Sequence, residues 1–344
     1  MNTNDFFMQD IKKRAKDIFD YYKTIKDIPL ALECDILDNN SIGGKVRVSG
    51  EEILMEISSG TVSSLISDIR KSRQAYLSCA LQKLTKAEVQ NGEMAAEFVK
   101  PYGNDILVFS SEAITEAEAN TEIVFAYRFL ICHELAHCLN GHYLMLKDHF
   151  GEAFLNMDMM GDYYDTQKFY RENITDLDIK AIEMDADALA ATNAFFNLMH
   201  LYMNFETQVQ FHVMMNKDQL FDLWGSSMIF VFKWIEKNVK YDRIHPTPRY
   251  RAMDAYNIVQ ELIKKSILSH EEQQHAIDNV IRGMLSADKS YSEMMGTDRW
   301  FMENKLGVLY KNYLEEKETY DYIWENKIRS MLVPYAFLDL FRKA

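Results

Sequence analysis

Between residues 5 and 25, apolar and charged side chains alternate at helical spacing, and Phe6, Ile11, Ala15, Ile18, Phe19 and Tyr22 share one stripe. That period predicts an amphipathic helix. The pattern then shortens to strand-like runs at Ile28 to Ile36, Lys45 to Val48 and Ile53 to Ile57, divided by Asn39-Asn40 and Gly43-Gly44 turns. Residues 61–90 return to helical spacing. After Pro101-Tyr102-Gly103-Asn104, the run Ile106-Leu107-Val108-Phe109 predicts a buried strand that stops at Ser110-Ser111. A long helix is expected from about Glu118 to Asn140, with the acidic stretch 111–122 as its solvated start, where carboxylates favour the positive end. Almost everything beyond reads as helix, with loops near 146–180, 238–248 and 285–299. No internal repeat and no long linker interrupts the chain. The expected class is α+β, mostly helical, with a small sheet first and helices afterwards.

The densest apolar run, Leu220 to Ile235, contains Asp222, Lys233 and a Gly225-Ser226-Ser227 break. It falls short of the roughly 20 apolar residues that a spanning helix needs, so it predicts a buried helix and no transmembrane segment. Composition adds that the chain can fill a core: 48% of the 344 residues are apolar and 26% charged, which excludes a disordered or collagen-like chain. The 20 methionines, many between 157 and 228, read as flexible core filler. Asp and Glu number 52 against 38 Lys and Arg, a net charge of −14 that repels phosphate backbones. The only basic clusters are Lys12-Lys13-Arg14 and Lys264-Lys265, so no nucleic-acid partner is expected. The start of the chain turns charged before any apolar stretch develops, unlike a signal peptide. Cys34, Cys79, Cys132 and Cys138 form no CxxC pair, which suits a reducing, cytoplasmic setting.

Chemistry concentrates in Tyr127–Tyr143, which contains His133-Glu134-Leu135-Ala136-His137. Two histidines four residues apart lie about 40° apart around a helix, so both imidazoles can face one ion. Glu134 sits beside the first, able to reach an activated water without ligating. This HExxH pattern reads as two zinc ligands, His133 and His137, and a general base, Glu134. The apolar run Ile123 to Ile131 before it implies a buried helix, and burying two imidazoles and a carboxylate is costly unless something pairs with them. Chance occurrence of the pattern on a helical surface is the alternative. A catalytic zinc wants a third protein ligand. His142 is about 140° round from His137 while the helix continues, which argues against it, and His149 is no better placed. Glu183 and Asp187, one helical turn apart in Ala181–Ala190, are the stronger candidates. Glu183 would complete the ligand set, and Asp187 would accept the Nδ1 hydrogen of a ligating histidine. An acidic face on an acidic protein is the plain alternative.

These segments, HELAHCLNGH followed by EMDADALA, resemble the paired motifs of gluzincin metallopeptidases, in particular the HtpX/CAAX-prenyl-protease family and the ImmA/IrrE family. His245-Pro246-Thr247-Pro248-Arg249-Tyr250-Arg251 resembles the HP-x-x-x-x-R element of the first. The resemblance covers about 104–255 and implies a zincin-like core whose small sheet precedes the HExxH helix, a Zn2+ cofactor, and hydrolysis of peptide bonds in a protein or peptide substrate. It divides the chain into an N-terminal α+β region (1–103), a metallopeptidase core (104–255) and a C-terminal helical region (256–344). It also implies that His245 donates to the developing oxyanion, unless it is simply a loop histidine before a helix at Pro246. Arg251 would neutralise Asp187 or Glu183, or else be a surface cation. The strand at 106–109 would dock an extended peptide by edge pairing. Residues 146–180 would form a lid or merely a connecting helix pair. The alternative function is a non-catalytic binding or sensor module that holds zinc.

Overall fold

A computed structural model describes residues 3–90, 104–150, 174–205, 216–238, 245–301 and 306–338. Helix α1 (Thr3–Lys26) leads into strands β1 (Ala31–Leu37), β2 (Gly44–Ser49) and β3 (Glu52–Ser58). Then follow helices α2 (Ser59–Gln90), α3 (Asn104–Leu139), α4 (His142–Phe150), α5 (Asp176–Met203), α6 (Gln219–Asn238), α7 (Pro248–Lys264), α8 (His270–Met295) and α9 (Leu306–Ile323). A π-helical turn (Trp324–Ile328) and the short α10 (Arg329–Leu332) close the described chain. The protein is thus mostly helical with one small sheet, of order β1-β3-β2, in which β3 pairs parallel with β1 and antiparallel with β2. Alternation decides which face is inward: Val46 and Val48 of β2 and Ile53, Met55 and Ile57 of β3 are buried, and Val46 lies opposite Met55.

One buried apolar cluster takes residues from α1, the sheet, α2, α3 and α5 to α9. Helix α3 runs through its middle, against α1, α2, α5, α6 and the sheet. Helix α6 is the buried helix expected from the Leu220 to Ile235 run, and its glycine lets α8 approach closely. A Cβ on Gly225 would overlap the backbone of Val280, and one on Gly283 would overlap that of Asp222. Among the described residues no helix is long and apolar enough to cross a membrane. A second, smaller cluster, including Ile179, Ile182, Trp324, Ile328 and Leu332, packs the end of the chain onto α5.

Five expectations are corrected. Residues 106–109 are helical, part of α3, so no strand there is available for edge pairing. The Ala/Glu-rich residues that follow are good helix formers, and the helix propagates back through the β-branched run. The acidic stretch is therefore mid-helix, and Glu122 is wholly buried, held by Arg73 and Ser226. Residues 285–295 continue α8 instead of forming a loop: their polar side chains, Asp288, Ser290 and Ser292, are buried against other groups rather than solvated. The ends of the expected 146–180 loop are also helical, in α4 and α5, and the segment that would form a lid lies outside the described residues. On α1 the inward aromatic is Phe7, whereas Phe6 is exposed.

Candidate metal centre

Two helices build the site. The buried apolar faces of α3 and α5 hold them together, with Ala186, Ala190 and Ala191 of α5 allowing close approach. The start of α5 is fixed by a capping box, in which Thr175 and Asp178 bond each other's backbone, and Asp178 also pairs with Lys327 at 2.6 Å. On α3, His133 Nε2 and His137 Nε2 lie 3.2 Å apart. Glu183 reaches in from α5, with Oε2 3.5 Å from His133 Nε2 and Oε1 3.7 Å from His137 Nε2. All three residues are buried and form a group able to hold a metal ion.

The separations test that fit. Donors about 2.0–2.2 Å from a tetrahedral zinc stand roughly 3.3–3.6 Å from one another. The 3.2 Å between the two imidazole nitrogens and the 3.5 Å from His133 Nε2 to Glu183 Oε2 lie close to that edge length, while the 3.7 Å to His137 Nε2 is measured from the other carboxylate oxygen, Oε1. Glu183 Oε2 is moreover buried without a hydrogen-bond partner, an acceptor oxygen facing two imidazole nitrogens. Electrostatics agree. Glu134, Asp185, Glu183 and Asp187 are all buried here against one guanidinium, that of Arg251, leaving a formal excess of negative charge.

Each ring is held from behind. Asp187 Oδ1 stands 2.9 Å from His133 Nδ1, which leaves Nε2 for the ion. Arg251 in turn donates Nε and Nη2 to the two oxygens of Asp187, at 2.6 and 2.8 Å. It is buried, not a surface cation. Burial works against a charged His133, but the facing carboxylates of Asp187 and then Glu183 outweigh it and hold the imidazole up at about 10. Burial pushes Glu183 toward its neutral form, and His245, His137 and His133 more than reverse that, keeping it well below the usual carboxylate range. His137 is held well below the usual imidazole range, chiefly by burial.

His142 is outside the metal group, as its spacing implied, but the structure gives it a place that helical spacing did not reveal. Helix α3 stops at Leu139, Gly141 adopts φ +82°, and His142 opens α4 from a new direction. A side chain at 141 would collide with the backbone of Tyr335 and Ala336 as well as strain the turn. Redirected in this way, His142 Nδ1 meets His137 Nδ1 at 3.1 Å, and its Nε2 meets Asp185 Oδ2 at 3.0 Å. Asn140 donates to the same Asp185 oxygen at 2.6 Å. The second imidazole is therefore backed by a His142–Asp185–Asn140 chain, as the first is by Asp187 and Arg251. A glycine following the HExxH helix was the signal that could have found it.

Glu134 lies beside His133 on α3 and is buried. His245 sits just before Thr247, the N-cap of α7, and Pro246 and Pro248 stiffen the approach. Its Nε2 is 3.8 Å from Glu183 Oε2, and the residue is partly exposed. His149 lies on α4 and takes no part in the group. His133, His137, Glu183, Asp187, Arg251 and His245 thus lie together, from α3, α5 and the start of α7, and Glu134 is the buried neighbour of His133 in sequence. Comparison with protein-family models, curated proteins and solved structures finds no match for this chain.

Proposed function

We propose that the chain is a zinc-dependent endopeptidase of gluzincin type. The observation that carries this reading is the meeting of His133, His137 and Glu183 in one buried group able to hold a metal ion, with Glu134 on the residue next to His133. His133, His137 and Glu183 would hold the ion. Bound there, zinc supplies Lewis acidity toward a carbonyl and lowers the pKa of water toward about 7. The protein's own groups do the rest. Glu134 takes the proton of the attacking water and returns it to the leaving amine. His245, on the open side of Glu183, donates a hydrogen bond to the carbonyl oxygen as charge develops on it. Asp187 and Arg251 keep the His133 ring in one tautomer and orientation, and the His142–Asp185 pair does so for His137.

The test is a comparison of wild type with Glu134→Gln for zinc content and for cleavage of casein and of a proteome-derived peptide library. Retained zinc, one per chain, with cleavage reduced by about 10²-fold or more, supports the reading. Equal behaviour of the two proteins points to the zinc-holding binding module instead, and absence of zinc from both removes the metal centre altogether.

A further inference from the structure

A cavity of about 700 Å³ lies behind the metal centre, between α1 and the face of α5 opposite Glu183. Tyr21, Ile25 and Phe196 line it and are 59%, 53% and 60% exposed, large apolar side chains left in water around one opening. Most exposed apolar residues are scattered; three on the rim of one cavity suggest an occupant.

The charge inside points to its chemistry. Arg128 reaches the cavity from α3 and is half-buried; among the described residues its side chain makes one hydrogen bond, Nε to Asn193 Oδ1 at 3.0 Å, and no carboxylate lies within ion-pair reach. Of the other lining charges, Lys26 is exposed at the end of α1, and the partners of the rest are close by. Arg14 pairs with Asp10 at 2.6 Å, Asp17 with Lys13 at 2.7 Å, and Asp185 accepts from Asn140 and faces His142. Burial lowers Arg128 below the usual guanidinium range, and Arg14 adds to the effect. A half-buried guanidinium without a counter-charge is costly, and its Nη groups form a fork that suits a carboxylate.

We propose that this cavity is a second binding site, which takes a small carboxylic acid with an apolar body, its carboxylate on Arg128 and its body against Tyr21, Ile25 and Phe196. Arg128, which among the described residues has no carboxylate within ion-pair reach, matches one negative charge, which favours a carboxylate over a phosphate dianion. The volume suits a single small molecule. Asn140 and Asp185 belong both to the cavity wall and to the hydrogen-bonded chain behind His137, so the occupant lies one relay away from the proposed metal ligand. The site does not depend on peptidase activity and is tested without it.

The experiment is titration calorimetry of the full chain with decanoate, decanol and inorganic phosphate. Decanoate is expected to bind once per chain, decanol at least about tenfold more weakly, and phosphate not measurably; a hydrogen-bonded charge pair of this kind accounts for about 10- to 100-fold. Arg128→Gln, which keeps a donor for Asn193, should bring decanoate down to the affinity of decanol. Leu189→Trp, which fills the cavity from α5, should abolish binding of both. Circular dichroism and thermal melting establish that each variant is folded; should Arg128→Gln fail to fold, the decanoate–decanol comparison and Leu189→Trp still decide. No decanoate binding, equal affinity for acid and alcohol, or undiminished binding in Leu189→Trp overturns the proposal. So does binding of an apolar peptide with a free C-terminus in preference to decanoate, which would make the occupant a protein end.

Discussion

Two buried polar clusters in this protein solve the same problem in opposite ways. Between α6 and α8, Lys233 and Asp288 are wholly buried and 3.0 Å apart. Lys233 also donates to Ser292 and to the Asp298 carbonyl at 3.0 and 2.7 Å, and lies 4.4 Å from the centre of the Trp300 ring. Asp288 accepts the backbone N–H groups of Trp300 and Phe301 at 3.0 and 2.8 Å. That cluster closes on itself: each charged group meets an opposite charge or a hydrogen-bond partner, and Arg299 Nε stands 4.0 Å from the second Asp288 oxygen. The cluster between α3 and α5 does not. Its outer groups are paired, but its inner ones, two imidazole nitrogens and the Glu183 carboxylate, converge with acceptors facing one point. Burial alone therefore does not mark a functional site. The mark is satisfaction at the periphery with three potential ligands converging at the centre, where Glu183 Oε2 has no hydrogen-bond partner.

The contrast can be broken from the closed side first. Lys233→Met takes from buried Asp288 the nearer of its two cations and leaves Arg299 at 4.0 Å, and the expected loss is about 3 kcal/mol of stability, read from urea or thermal unfolding. Zinc content of the protein that remains folded should not change, because the two clusters share no residue. Loss of zinc in step with Lys233 would show them to be one network.

On the open side the effects should fall on the metal. Asp187→Asn frees the His133 ring and leaves Arg251 without its carboxylate, and the expected loss is about 10- to 100-fold in zinc affinity by competition with a chelator. Affinity equal to wild type would sink the assignment of Asp187 as the group that orients His133. The smallest effect is predicted for His142→Gln, which removes the backing of His137 while keeping a polar group within reach of Asp185. Zinc affinity should fall by about tenfold, at the lower end of such outer-partner effects. A larger loss there than for Asp187→Asn would reverse the ranking of the two supports.

Much of the centre was legible because it is local. The four-residue spacings of His133 with His137 and of Glu183 with Asp187 follow from helix period alone, and the apolar run before His133 already implied burial. His245 and Arg251 came from a short motif whose two prolines fix the chain where a helix begins. What stayed hidden depends on contacts distant in sequence. His142 enters the site only because Gly141 turns the chain, a step that helical angles do not foresee. The Ser- and Asp-rich residues of α8 resemble a loop until Lys233 and the backbone of Trp300 are seen to use them. Ile106 to Phe109 has strand-like composition, yet it sits in a helix continuous with the one that carries His133. Arg128 gave no signal, since a lone arginine in a helix is ordinarily a surface residue.

The backbone N–H groups of Phe337 and Leu338 both donate to the carbonyl of Leu139, at 2.8 and 3.2 Å. An oxygen that ends a helix is normally left to water or to a nearby turn. Here it is clasped by residues almost two hundred positions later, two residues beyond His137. The segment 337–338 thereby clasps the end of the helix that carries the second imidazole, so that the ring's support includes a contact made by none of the residues around it.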